Sequence, residues 1–134
     1  MTSRARGPFD VKVTPQAPDS HADGTTIGRL TIDKQYRGDL DAAGTGVMLT
    51  GMTSVRGSAA YVAIERVTGT LAGRRGSFLL QHRGTMSRGA QQLEISVVPD
   101  SGTDQLAGIS GAMRIDISDG KHSYHFEYAL TEPA

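Results

Sequence analysis

The sequence predicts an all-β fold, a single closed antiparallel eight-stranded up-and-down barrel with almost no helix. Apolar and polar residues alternate with a period of two in eight short segments, which is typical of half-buried strands. The chain has 17 glycines among 134 residues, nearly twice the usual share, and glycine disfavours helix interiors. No segment sustains the 3.6-residue period of an amphipathic helix.

The eight candidate strands follow one another along one domain, residues 1–134. The first contains Phe9, Val11 and Val13, which alternate with polar residues. Residues 1–8 before it are expected to form a flexible N-terminus, and residues 15–25 after it a surface loop. Asp119-Gly120 lies between the last two strands and is a strong hairpin signal. The other seven candidates lie at residues 29–36, 45–53, 60–71, 75–84, 92–97, 109–118 and 123–130.

Two architectures accommodate eight short antiparallel strands, a two-sheet sandwich and a closed barrel. Short connections favour a meander, and closure removes the exposed sheet edges. Gly28, Gly69 and Gly111 lie inside strands, where glycine marks bends or close approach. Curved barrel strands need such positions, so the barrel is the preferred prediction.

Composition excludes several classes of function. Lys and Arg total 14 and Asp and Glu total 14, a balance that argues against a nucleic-acid binder. The absence of Cys excludes thiol nucleophiles, Cys-ligated zinc and redox pairs. No apolar run reaches the length of a membrane span. We expect no metal, no cofactor, no nucleic-acid or membrane partner, and a cytoplasmic location.

Two strands, residues 60–71 and 75–84, are apolar on both faces. Tyr61, Val62, Ala63 and Ile64 follow one another in the first of them. A strand that is apolar on both faces is covered on both faces. The barrel interior covers one face, so we expect a homo-oligomer whose interface includes the outer face of these two strands.

Five segments carry a resemblance to a known family. The sequence is similar to the bacterial domain of unknown function 3224 family, small proteins with an allene-oxide-cyclase-like barrel, over roughly residues 8–130. The last segment also resembles a stretch of plant allene oxide cyclases and dirigent proteins, although Asp104 replaces a glycine and Leu106 a phenylalanine. The resemblance implies the barrel but supplies no activity and no catalytic residues. The segments are residues 33–40, 61–66, 69–78, 81–86 and 101–111.

Lys34 shares its strand face with Leu30, Ile32 and Tyr36, so the alternation predicts that it points inward. A buried ammonium without a partner is very costly. Lys34 therefore either binds an anionic or carbonyl group of a ligand, with Tyr36 beside it, or lies at the barrel rim and reaches water.

Glu65 and His82 interrupt apolar strands. If Glu65 points inward, it is either a general base or acceptor, or one half of a structural salt bridge with Arg74, Arg75 or Arg83. His82 either transfers protons or hydrogen-bonds a ligand, or it is a strand-end residue satisfied by backbone and solvent. Parity leaves open whether Glu65 or Arg66, and whether His82 or Gln81, faces the interior.

Aromatic residues could complete a pocket. Tyr124 and Phe126 share a face of the last strand, and Tyr61 shares a face with Glu65. Such side chains are either core or the apolar wall of a ligand site. The leading prediction is a barrel that binds a small apolar organic molecule. The alternatives are a cofactor-independent isomerase or cyclase acting on such a molecule, and a structural barrel with a filled core.

Overall fold

The protein folds as a closed barrel, seen in a computed structural model that describes residues 2–17 and 20–131. Within these ranges the only helix is one turn of 3-10 helix, Asp104–Leu106, and no helix is long or apolar enough to span a bilayer. The predicted all-β fold is confirmed. The strands are β1 (Ser3–Pro15), β2 (Ser20–Ala22), β3 (Thr25–Tyr36), β4 (Leu40–Met52), β5 (Ala59–Leu71), β6 (Arg74–Ser87), β7 (Ala90–Val97), β8 (Ile109–Ser118) and β9 (Lys121–Leu130).

The barrel is an antiparallel meander that β1 closes. Strands β3 to β9 pair in chain order, and β1 pairs with β9 through its first half and with β3 through its second half. Eight strands thus form the wall, and β2 is an extra short strand on β3. Closure pairs the edges of the described wall strands, except where β7 and β8 are joined by only two residue pairs.

Two expectations about the N-terminal region need correction. Ser3–Pro8, expected to be flexible, pair with β9, with Ala5 opposite Phe126. Ala5 is only 2% exposed, so this segment belongs to the core. The expected surface loop at residues 15–25 contains β2, which pairs with the start of β3. Residues 18 and 19 of that loop lie outside the described residues.

The predicted Asp-Gly hairpin joins β8 to β9. Asp119 has φ of 52° and Gly120 has φ of 74°. Positive φ at both central residues defines the turn whose twist matches that of the flanking strands, and Asp-Gly is among the pairs that adopt it most easily. The Asp-Gly pair in the sequence is therefore explained by the positive φ angles that this turn requires.

The barrel interior has a closed half that is filled by one hydrophobic cluster. Tyr36, Phe78, Tyr124 and Phe126 are each at most 1% exposed within it. The rings of Phe78 and Phe126 stack at 5.6 Å, and those of Phe126 and Tyr128 at 5.3 Å. This half supplies most of the apolar burial that stabilises the fold.

The segment after β7 seals the closed half. Thr103 N donates to Ser77 O, Ser77 N donates to Thr103 Oγ1, and the two hydroxyl groups are in contact, so residues 98–103 run beside β6. Leu106, in the single helical turn, is 1% exposed and belongs to the hydrophobic cluster. Residues 98–106 therefore act as a plug, and the Leu106 side chain fills the end of the barrel.

The other half of the interior is open. Along β7 the inward-facing side chains change from buried Ile95 to Leu93, which is 44% exposed, and along β8 from Met113 at 5% to Ile117 at 66%. The β7–β8 ladder consists of only two residue pairs among the described residues, Ile95 with Met113 and Ser96 with Ala112. Beyond these pairs the two strands diverge, and the wall opens toward the solvent.

The outer wall carries an exposed apolar surface, which we call the outer patch. It consists of Val47 and Leu49 on β4 and Val62 and Ile64 on β5, which are 39% to 51% exposed. Val47 lies opposite Ile64 and Leu49 opposite Val62. On residues 75–84 the outward-facing Leu79 is half-buried beside residues 98–101.

Candidate functional site

Four polar side chains meet inside the barrel where the closed half ends. Lys34 and Tyr36 come from β3, Glu65 from β5 and His82 from β6. Their relative exposures are 9%, 0%, 0% and 3%. We call this group the polar cluster. Glu65 and His82 therefore face inward, whereas Arg66 and Gln81 are exposed.

Glu65 is the centre of the polar cluster. Its Oε1 accepts hydrogen bonds from Lys34 Nζ at 3.0 Å and from His82 Nε2 at 2.8 Å. Its Oε2 accepts one from the Tyr36 hydroxyl at 2.6 Å. Three donors from two other strands thus surround one carboxylate, as a buried charge requires. The alternative partners Arg74, Arg75 and Arg83 are exposed, and Arg83 instead pairs with Glu94 at 2.9 Å.

The surroundings favour the ionised form of Glu65. Burial acts to raise its pKa, but the hydrogen bond from His82, the charge of Lys34 and the hydrogen bond from Tyr36 together lower it below its ordinary value. Burial and the charge on Glu65 raise the pKa of Tyr36, which keeps that hydroxyl protonated as a donor. The carboxylate is thus a fixed acceptor.

Of the two ring nitrogens of His82, Nε2 has a hydrogen-bond partner and Nδ1 has none among the described residues. An ionised carboxylate only accepts, so Nε2 carries the hydrogen that points at Glu65. No described residue bonds to Nδ1, and within the described ranges no buried side-chain polar atom lacks a partner. In neutral His82, Nδ1 carries a lone pair.

One of the three N–H groups of Lys34 has no acceptor among the described residues. Of its three N–H groups, one is directed at Glu65 and one at the Tyr36 hydroxyl at 3.3 Å. The ring centroids of Phe9 and Tyr36 lie 5.3 Å and 5.6 Å from Nζ, within the range of cation–π attraction. Lys34 is therefore held as an ammonium inside the barrel and does not extend to the rim.

A cavity of about 410 Å³ lies in the open half, against the inner surface of β4 to β7. Met48, Tyr61, Gly84 and Leu93 are among its lining residues, and most of its surface is apolar. Tyr61 connects it electrostatically to the polar cluster, since burial and the charge of Glu65 raise the pKa of its hydroxyl. The volume falls within the range of small-molecule sites.

Of the predicted site residues, Tyr124 and Phe126 lie elsewhere. Phe126 is 1% exposed and packs in the closed half. The Tyr124 hydroxyl accepts from Leu40 N at 2.8 Å and donates to Arg37 O at 2.6 Å, so it fastens the β3–β4 connection. The structure brings together Lys34, Tyr36, Glu65 and His82. It places Tyr61 in the lining of the 410 Å³ cavity, and Tyr124 and Phe126 in the closed half.

Residues that make room for the site were missing from the sequence prediction. A Cβ atom on Gly44 would lie 2.1 Å from Glu65 Oε2, and one on Gly84 would lie 2.4 Å from a Tyr61 ring carbon. Phe9, predicted only as a strand residue, covers Lys34. The sequence indicates only that Gly44 shares the inward parity of its strand, and its position against Glu65 depends on the register of the strands.

The polar cluster is not a metal centre of the usual kind. Throughout residues 2–17 and 20–131, no three His, Cys, Asp or Glu side chains come together as ligands. A second concavity, about 810 Å³, is an outer groove whose lining includes Arg4, Arg6 and Arg114. Glu127 already partners Arg4 there at 3.5 Å, and both side chains are mostly exposed.

Comparison with known proteins identifies the family of the chain. The model of the family described as "Protein of unknown function (DUF3224)" matches residues 5–128. The chain belongs to this family. A crystal structure of a DUF3224 protein of unknown function from Shewanella oneidensis MR-1 is 44% identical, with a TM-score of 0.93, and the match covers 98% of this chain and 100% of that one. None of the curated proteins matches the sequence.

Proposed function

We propose that this DUF3224 barrel binds a small, largely apolar organic molecule in its open half. The observation that carries the proposal is the division of the interior. One half is filled by hydrophobic side chains, the polar cluster lies at its boundary, and the other half holds an apolar cavity of about 410 Å³. A few convergent polar groups below an apolar wall are typical of small-molecule sites.

A filled structural barrel is less well supported than a binding barrel. A core that serves stability alone gains most from close packing. Inward-facing Leu93 and Ile117 are instead 44% and 66% exposed, and Met52 is 53% exposed. Apolar side chains that face an open interior leave surface for an apolar ligand to cover.

Leu93→Trp is expected to weaken ligand binding by about tenfold, which corresponds to about 1.4 kcal/mol. The indole would occupy the mouth of the cavity without entering the closed half. The probe is N-phenyl-1-naphthylamine, a neutral apolar fluorophore, titrated into wild type and variant. Native mass spectrometry of the purified wild-type protein would detect a retained ligand.

Ser96→Trp is the matched control, because Ser96 is exposed on the outer face of the same strand. It is expected to bind the fluorophore as the wild type does. Circular dichroism would show that both variants are folded. Equal affinity in wild type and Leu93→Trp, with no ligand retained by the purified protein, would contradict the proposal.

A cofactor-independent isomerase or cyclase is the second candidate function. The observation that favours it is the Glu65–His82 contact at 2.8 Å, which leaves the other histidine nitrogen for proton transfer. Lys34 adds a positive charge to the same site.

The expected cytoplasmic location remains part of the proposal and is supported by the absence of Cys.

We also propose that the chain forms a homo-oligomer through the outer patch. Asp33 and Arg66 lie beside the patch, each paired in register with Thr45. A second copy of the chain would bring the same two charges, so that opposite charges meet across the contact. A partner whose surface carries charges of only one sign would match Asp33 and Arg66 less well.

Val62→Lys is expected to convert the oligomer to a monomer in light scattering at micromolar concentration. A charge in an apolar interface is costly because it loses hydration without gaining a partner. Thr68→Lys is the control, since Thr68 is exposed on the same strand and lies outside the patch. A monomeric wild-type protein would count against the proposal.

A further inference from the structure

The polar cluster offers two hydrogen-bonding positions that no described residue occupies, one on Lys34 and one on His82. Lys34 Nζ and His82 Nε2 both bond to the same atom, Glu65 Oε1, at 3.0 Å and 2.8 Å. The reserve N–H of Lys34 is a charged donor, and the free His82 Nδ1 is an acceptor. A ligand that satisfies both presents an oxygen acceptor and, a short distance away, an acidic hydrogen.

Glu65 is poorly suited to remove that hydrogen itself. Both of its oxygens already accept hydrogen bonds, and its pKa is lowered, by the contacts described above, to favour the ionised form. Its contact instead fixes the ring of His82 with Nε2–H inward. A carboxylate in this position selects the histidine tautomer and stabilises the imidazolium when the other nitrogen gains a proton.

Charge balance supports proton transfer within this buried group. With neutral His82, the Lys34 ammonium and the Glu65 carboxylate cancel. If His82 gains a proton from a neutral ligand, the ligand becomes an anion, and the site as a whole stays neutral. No net charge is therefore created in the low-dielectric interior, where an isolated charge is expensive.

We propose that the polar cluster catalyses a proton shift beside the carbonyl of a small hydrophobic ketone, with His82 Nδ1 as the base and Lys34 as the donor to the carbonyl oxygen. This inference rests on the proposed binding function and names its substrate class. Glu65 and Tyr36 are positioning residues, because they act through His82 and Lys34.

The reaction balances without a co-reactant. The His82 Nδ1 lone pair takes a proton from the carbon next to the carbonyl, and the C–H electron pair becomes the C=C bond of an enolate. The carbonyl π pair moves to the oxygen, where the Lys34 N–H stabilises the negative charge. Protonated His82 then returns the proton to the same carbon or, in an unsaturated ketone, to a carbon further along. Nothing is oxidised or reduced.

Deuterium exchange tests this step directly. Cyclohexanone, acetophenone and α-tetralone would each be incubated with the wild-type protein in D₂O, and loss of the α-proton signal followed by NMR. Saturation-transfer NMR on the same samples reports binding. We expect the wild type to accelerate exchange of at least one ketone that it binds. His82→Gln is expected to reduce this acceleration by about 10² or more with binding retained.

His125→Gln is the matched control, since His125 lies on the outer wall and pairs with Asp116 at 3.0 Å. It is expected to exchange protons at the wild-type rate. Binding of a ketone without accelerated exchange, or equal exchange in wild type and His82→Gln, would overturn the inference and leave the binding function intact. Failure to bind any of the three ketones would also overturn it. The binding function is then decided separately by the fluorophore titration.

Discussion

Glu65→Ala is expected to lower the free energy of unfolding by about 3–5 kcal/mol, the usual cost of removing one partner of a buried ion pair. The substitution leaves the Lys34 ammonium buried with a side-chain exposure of 5% and no countercharge. It also removes the acceptor that Tyr36 and His82 share. Urea denaturation of wild type and variant would measure the difference.

Two variants separate this charge effect from simpler causes. Glu94→Ala removes an exposed carboxylate from Arg83 and is expected to cost less than about 1 kcal/mol. The double variant Lys34→Met, Glu65→Leu removes both charges and is expected to be more stable than Glu65→Ala. If the double variant is equally unstable, the loss arises from packing and not from an uncompensated ammonium.

The ion pair between Lys34 and Glu65 also makes the stability of the protein depend on pH in the acidic range. The folded protein lowers the pKa of Glu65 below its ordinary value of 4.5, so unfolding takes up a proton as the pH falls below that value. Stabilisation by Glu65 is complete above pH 4.5 and is lost as the pH falls through the folded-state pKa. The stability difference between wild type and Glu65→Gln therefore shrinks on acidification. A difference that does not change with pH would contradict an ionised Glu65.

Phe126→Ala is expected to cost about 3–5 kcal/mol of stability, because it removes a large side chain from a tightly packed region. Phe126 is 1% exposed, and its ring stacks on those of Phe78 and Tyr128. The cavity it leaves would lie in the closed half, away from the 410 Å³ cavity. Denaturant unfolding measures the loss, and the variant is expected to bind N-phenyl-1-naphthylamine with wild-type affinity when folded.

Glu127→Ala is the neighbouring control, since Glu127 is exposed on the outer face of β9. Substitutions at such positions usually change stability by no more than about 0.5 kcal/mol. A folded Phe126→Ala protein with reduced fluorophore affinity would show that Phe126 contributes to the binding site. That result would support the sequence-based prediction that Phe126 contacts a ligand.

Local patterns were sufficient to predict the barrel and the strand order. Alternation identified the strands, and Asp119-Gly120 identified the last hairpin. The prediction failed for Ser3–Pro8, because the pairing partner of that segment is β9, more than a hundred residues away. Local composition contains no information about such a distant partner. In this segment Arg4 and Arg6 alternate with Ala5 and Gly7. These two residues face inward, but they are too small to give the apolar alternation by which a strand is recognised.

Parity placed Lys34 inward, but it left open the orientation of Glu65 and His82 and could not bring the three side chains together. Whether Glu65 meets Lys34 or an arginine depends on register and on the shear of the barrel, which a single sequence does not display. The role of Gly44 was hidden for the same reason. Only the neighbouring strand shows that the missing side chain at this position is the space taken by the Glu65 carboxylate.

The double pairing of β1 affects the order in which the fold can form. β1 is synthesised before both of its partner strands, and it needs both β3 and β9 to complete the wall. Until β9 is available, β8 and the first half of β1 present unpaired backbone groups, which can join other chains. Contacts so distant in sequence also slow folding. We therefore expect nascent chains that end before β9 to depend on chaperones, and release of the full barrel to follow synthesis of its last strand.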